Sequence, residues 1–313
     1  MTDVSLGTRM VIPVRRSADL ARLTPIAVKI AAATSLPVDV LTIVHPDDDL
    51  PEEFRAIASA TLLLAEQIGS PVGCRMLCSK EPVDAFLHAC CDNLTLMSTA
   101  ATPFKDGHYV GSFAASLLAH ATAPVLLVGP QVTGDAPLDW TEVVVAVASE
   151  IDSTAVLPYA HALGVALGLD LCKVHIDTGS GNIYMSRYGK RMWFPDEVHA
   201  TIGVEALEGS DVSATLIERS DGQLLAVRTH ARSGLAWIAD GSIAFDVVTN
   251  ANGPILAVGP HVGDSSNDLR AVDATANIEL SANTVDDAVR ELQTPLADMA
   301  AGQDTEINAT FGS

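Results

Sequence analysis

The chain repeats itself, and that limits what it can fold into. GSFAASLLAHATAPVLLVGP at 111–130 returns as GSIAFDVVTNANGPILAVGP at 241–260, an offset of 130 residues, with Gly-Ser opening and Gly-Pro closing both copies. Upstream, TRMVIPV (8–14) answers to TEVVVAV (141–147), and LPVDVLTIVH (36–45) to LGLDLCKVHI (167–176) with one residue inserted. The matches come in the same order in both halves, so one unit has been duplicated. The expected boundaries are 1–133 for the first domain, 134–262 for the second and 263–313 for an acidic tail. At 313 residues the chain is long enough for two domains, each with a core.

Each copy opens with an apolar run too short for a helix and rich in Val and Ile. An amphipathic helix follows (19–35; 153–168), then a second apolar strand, a variable loop and another helix (51–69; 195–208). A third strand is expected at 72–77, with a weaker signal in the second copy. A helix (83–92; 212–219), a fourth strand (94–97; 224–227), a loop, a helix opening at Gly-Ser and a last strand (125–128; 255–258) complete the unit. Continuous apolar strands separated by helices form a parallel sheet buried on both faces. With right-handed crossovers the fold class is α/β: two tandem doubly wound parallel-sheet domains in three α/β/α layers. In such a sheet a ligand sits at the carboxyl ends of the strands where strand order reverses. The loops after the first and fourth strands are therefore the place to look for chemistry.

Composition narrows the function classes. The sequence is 48% hydrophobic and 18% charged, as a folded chain requires, and its formal net charge is −21. That field repels phosphate backbones and anionic lipid, so neither nucleic acid nor membrane is an expected partner. No apolar run reaches the roughly 20 residues that span a bilayer. Residues 1–9 lack the basic and apolar regions of a signal peptide, so a cytoplasmic protein is expected. Five cysteines (Cys74, Cys78, Cys90, Cys91, Cys172) then read as reduced, mostly buried thiols.

The stretch RTHARSGLAWIADGSIAF (228–245), with its counterpart in the first copy, resembles the strand-four loop of the universal stress protein family in its tandem-domain form. The likeness covers 8–130 and 141–260 and implies the HUP-like fold of that family. In its ATP-binding members a G-x-x-G pair precedes a Gly-Ser with nine residues between them, and together they wrap the phosphates. An Asp at the end of strand one holds the adenosine. Glycines let backbone approach an anion, and N–H groups at a helix N-terminus donate to it.

Carried over residue by residue, the resemblance gives degenerate nucleotide sites. Gly111 and Ser112 match, as do Gly241 and Ser242. The first loop glycine is replaced by Ser98 and Arg228, the second by Ala101 and Ala231, and the strand-one Asp by Arg15 and Ala148. An added side chain crowds the phosphates, and at a left-handed position it costs on the order of 1 kcal/mol. No cofactor is expected, ATP and other nucleotides being disfavoured. The expected role is a non-enzymatic, stress-associated regulatory protein. The alternative is a sensor of a nucleotide or another anion, since Arg15 and Arg228 bring fork-shaped cations to strand ends. The two Gly-Ser pairs serve equally as anion sites or plain helix caps.

Other features carry less. The loop DTGSGNIYMSRYGKRMWFPDE (177–197) gathers Arg187, Lys190 and Arg191 among Tyr184, Tyr188, Trp193 and Phe194, where the first copy has a short acidic loop. It reads as a lid, a docking patch or a loop insertion packed on its own domain. Cys74, Cys78, His88, Cys90 and Cys91 fit no zinc spacing and read as core thiols, so no metal is expected. His175 and His230 fall near strand ends as structural hydrogen-bond partners, and no catalytic residue is assigned. In the tail, ten acidic residues face two basic ones. Residues 284–292 and 295–302 read as short helices, and the last residues as unstructured. The tail docks on the body, swaps to a partner or moves freely. The closing strands PVLLVGP and PILAVGP form sheet edges that must be covered. In the resembled family such edges pair across a two-fold axis. That implies a pseudo-dimer within one chain, joined by a linker at 131–139, and further homodimerisation. An unknown protein or a small ligand is the other expected partner.

Overall fold

Four residues, Met10–Pro13, start the sheet as β1, wholly apolar and buried along its first three positions. In the computed structural model, the residues described are 4–44, 51–78, 82–90, 92–99, 112–134, 138–147, 150–177, 204–229, 243–263, 277–280 and 305–311. After β1 come α1 (Ser17–Thr34), β2 (Val38–Val44), α2 (Pro51–Ile68), β3 (Val72–Cys78), α3 (Pro82–Cys90), β4 (Leu94–Ser98), α4 (Ser112–His120) and β5 (Val125–Val128). The second half runs β6 (Glu142–Ala146), α5 (Glu150–Leu167), β7 (Asp170–Asp177), β8 (Val204–Glu208), α6 (Val212–Arg219), β9 (Leu224–Arg228), α7 (Ile243–Asn250) and β10 (Ile255–Val258). Two more strands follow, β11 (Asn277–Leu280) and β12 (Thr305–Phe311).

The twelve strands among the described residues form one sheet, ordered β11-β12-β3-β2-β1-β4-β5-β10-β9-β6-β7-β8. Within each half the five strands are parallel and follow the same order, so the duplication in the sequence is a duplication of topology. Even a proline inside the first helix recurs, Pro25 in α1 and Pro158 in α5. The halves join where β5 meets β10 antiparallel, Leu126 opposite Leu256.

Side chains alternate across the strands and build two core layers. One face, with Met10, Val40, Val143 and Ala226, is covered by α1, α2 and α5. The other, with Val11, Leu41, Val144 and Leu225, is covered by α3, α4, α6 and α7. Both layers draw residues from both halves. The molecule is therefore an α/β/α sandwich around doubly wound parallel sheet, as the apolar runs predict.

Two expectations are corrected. A helix was expected at 195–208, yet Val204–Glu208 is the edge strand β8, parallel to β7. Its exposure alternates residue by residue, the period of a strand and not of a helix. The last residues were expected to be unstructured, yet Thr305–Phe311 is a full strand, antiparallel to β3. The helices expected at 284–292 and 295–302 and the loop after Asp177 lie outside the described residues. Among the described residues no helix is long and apolar enough to cross a membrane.

Candidate ligand site at the strand ends

Strand order reverses between β1 and β4 in the first half and between β6 and β9 in the second. The crevice at each reversal is where this class of sheet holds a ligand. Of the sequence-derived positions, Arg15 lies just past β1 and is exposed, and Ser98 ends β4 half-buried. Ser112 is the first residue of α4. Arg228 ends β9 half-buried, its Nε enclosed. Ala101, Gly111, Ala148, Ala231, Gly241 and Ser242 lie outside the described residues.

In the first crevice the guanidinium comes from a residue the sequence reading passed over. Arg22, on the second turn of α1, donates through Nε to the Val132 carbonyl (2.8 Å) and through Nη2 to those of Pro130 (2.7 Å) and Gly129 (3.2 Å). Its Nη1 stands 3.5 Å from Ser98 Oγ, at the position where the resembled family carries its first loop glycine. One side chain thus ties the end of β4 to the carbonyls beyond β5. Seven residues on, along the same helix face, Lys29 donates to the Leu138 carbonyl, and its ammonium lies 4.3 Å from the centre of the Trp140 ring. Burial lowers the Lys29 pKa, against the pull of Asp139. The hint in the sequence is this seven-residue spacing of the two cations of the helix.

The N-terminus of α1 is also occupied. Arg16 caps it with backbone alone, and the Ser17 N–H donates to Glu53 Oε1 of α2 at 2.6 Å. A carboxylate from the chain sits where a helix N-terminus attracts an anion. Asp19 in the same turn has its pKa raised, chiefly by burial, despite Arg16 and Arg22 nearby.

The second crevice is built differently. The place of Arg22 is taken by Ala155, and the place of Ser98 by Arg228. The next residue, Thr229, is buried, and among the described residues its Oγ1 has no hydrogen-bond partner. Its counterpart Thr99 donates to the Val128 carbonyl at 3.3 Å. His175 Nδ1 lies 2.9 Å from the Val147 carbonyl, a structural contact; His230 lies outside the described residues.

A charge cluster occupies the other end of the strands, and the halves build it with opposite signs. In the first, Asp39 pairs with Arg9 and lies 3.9 Å from Arg75. Register puts Glu142, Cys172 and Glu205 in the places of Arg9, Asp39 and Arg75. Arg219 from α6 enters their midst, forking onto Glu142 and donating to Glu205 Oε2 at 2.9 Å and to Cys172 Sγ at 3.3 Å. Burial raises the Cys172 pKa, and its hydrogen bond to Glu205 raises it further. Cys74 is pushed up to about 12 by burial. Cys74 shares the face of Val40 while Cys90 belongs to the opposite layer, so the sheet separates them. Among the described residues no three His, Cys, Asp or Glu side chains are grouped to hold a metal.

No protein-family model and no curated protein sequence matches the chain. Solved structures do. A universal stress protein from Archaeoglobus fulgidus superposes with a TM-score of 0.52 at 18% identity, over 81% of this chain and 98% of its own. A protein of unknown function from Pseudomonas aeruginosa gives 0.52 at 16%, over 82% and 94%. A second Pseudomonas aeruginosa protein, provisionally assigned to the universal stress proteins, gives 0.52 at 17%, over 82% and 95%. The fold is that of the universal stress proteins.

Proposed function

We propose that this chain is a tandem universal stress protein that has given up ordinary ATP binding and acts as a non-enzymatic regulator through protein contacts in the cytoplasm. The observation that carries this reading is Arg22, whose guanidinium spans the first crevice from Ser98 to the carbonyls of Gly129, Pro130 and Val132. A cation satisfied by three backbone acceptors is costly to displace, because a lost charged hydrogen bond leaves desolvated partners behind. Glu53 on the Ser17 N–H adds a fixed negative charge that repels a triphosphate. Calorimetric titration of the purified chain with magnesium ATP tests the reading. The expected result is no saturable heat through the millimolar range. Micromolar binding at one nucleotide per half overturns it.

A second reading rests on the second crevice alone. There Arg228 and the hydroxyl of Thr229, which has no hydrogen-bond partner among the described residues, stand at one strand end, a donor pair suited to a phosphate or carboxylate. On this reading the chain senses an anionic small molecule. Native mass spectrometry of the freshly purified chain then shows a bound mass that Arg228→Gln removes. An unliganded mass in both proteins eliminates the sensor.

A further inference from the structure

We propose that the outer edge of β3 is a latent pairing surface for a second copy of this chain, and that the C-terminal strand β12 is the cover that keeps it closed. β3 is seven residues long and pairs with β2 along its whole length. Val72, Cys74 and Met76 on one face are no more than 1% exposed. A long edge strand with a buried apolar face presents, when uncovered, a row of free N–H and C=O groups and recruits another strand. Its counterpart in the second half, β8, has five residues, two of them glutamates, in alternating exposure. That edge is short and charged, the usual protection of an edge. The first half lacks that protection and has β12 instead.

The fit of β12 is complete. Seven residues pair in unbroken antiparallel register, from Thr305 opposite Cys78 to Phe311 opposite Val72. The apolar residues Ile307, Ala309 and Phe311 fall opposite Met76, Cys74 and Val72, while Glu306, Asn308 and Thr310 alternate with them. Beyond it lies β11, only four residues long, so among the described residues the sheet ends in a short edge bearing Glu279. Reach permits this within one chain. From β10 to β11 is about 34 Å at about 4.8 Å per strand, and the link from Gly263 to Asn277 extends to about 46 Å. The two strands of the tail also bring Glu279 and Glu306 to this edge. Strand and charge both oppose a second copy. A second β3 is the fitting occupant of the bare edge because the chain already joins like edges antiparallel at β5 and β10.

The test uses the full chain carrying Ile307→Pro and Asn308→Pro. Adjacent residues of a strand point their N–H groups to opposite sides, so one of these prolines must delete a bond to β3. Hydrogen exchange of β3 amides is expected to quicken at least about tenfold while β1 keeps its protection. In sedimentation velocity the variant is expected to form, with rising concentration, a species of twice the mass of the unmodified chain's. Excess synthetic peptide of residues 304–313 should refill the edge and reverse this. If β3 opens and the variant still sediments as the unmodified chain does at every concentration, the proposal is wrong. It is equally wrong if the β3 amides stay protected. Ile307→Pro and Asn308→Pro made singly, one of which must remove a bond to β3, give the same readouts in that one should the double variant fail to fold.

Discussion

Ser35 closes α1 in the left-handed region at φ 55°, while Gly168 closes α5 at the matching place at φ 68°. The two halves thus solve one problem with two residues, and only glycine does so without strain from its Cβ. The Ser35 side chain is exposed and its N–H already reaches the Ala31 carbonyl, so nothing is lost by removing the hydroxymethyl group. Ser35→Gly should stabilise the chain by about 0.5–1 kcal/mol, read as a rise in the urea midpoint at constant slope. The charge-reversed clusters make a second residue-scale case. Hydrogen bonds from Arg219 and then Cys172 hold the Glu205 carboxyl below its ordinary pKa of 4.5. A depressed carboxylate contributes its stability above the unfolded value and loses it as pH falls through the folded one. Glu205 is 40% exposed, so water screens the pair and its worth is at most about 1 kcal/mol. Glu205→Gln should therefore cost stability at neutral pH, with the deficit closing below pH 4.5. Denaturation series at several pH values check this, and a deficit that persists in acid would show that packing, not charge, is what was lost.

Elements were legible in proportion to how far local pattern decided them. The strands of both repeats other than β8, and the helices between them, follow from short Val- and Ile-rich runs and from stripes such as Leu20, Leu23, Ile26, Ala27 and Ile30, which the structure buries. β8 was misread because VEALE alternates over only five residues and follows a stretch of helix-like length. β12 was missed for another reason. Its alternation, Ile307, Ala309 and Phe311 between polar residues, is plain, but a lone polar-flanked strand means nothing until a partner edge is known. That edge, β3, lies more than 200 residues earlier in the chain. The candidate site divides likewise. Counting along a motif set Ser98 and Arg228 at strand ends, Arg15 just past one and Ser112 at a helix start; in the structure Ser98 and Arg228 close β4 and β9, Arg15 follows β1 and Ser112 opens α4. Arg22 was invisible because its acceptors are main-chain carbonyls more than 100 residues away, which no side-chain pattern announces.

The whole molecule is tied at its centre more tightly than two domains in series would be. Gly129 and Gly259 close the two repeats, and each lies against a helix of the other half. A Cβ on Gly259 would come within 2.7 Å of the Leu118 carbonyl in α4, and one on Gly129 would press closer still on the Val248 carbonyl in α7. The repeated Gly-Pro is thus the mark of a seam in which backbone meets backbone across an approximate two-fold. Arg22 and Lys29 of α1 fasten the linker beside it, and both core layers run through it without a break. Such a seam makes the unfolding of one half expose the apolar flank of the other, which couples them. Gly259→Ala forces α4 away from the end of β10 and should cost about 1–3 kcal/mol, the usual penalty for overfilling a packed contact. Coupling predicts where that loss is felt. Amides of β1 and β6, deep in opposite halves, should lose protection by the same factor in native-state hydrogen exchange, although the new methyl lies in neither strand. If β6 loosens while β1 keeps its full protection, the halves unfold independently and the shared sheet does not bind them into one cooperative unit.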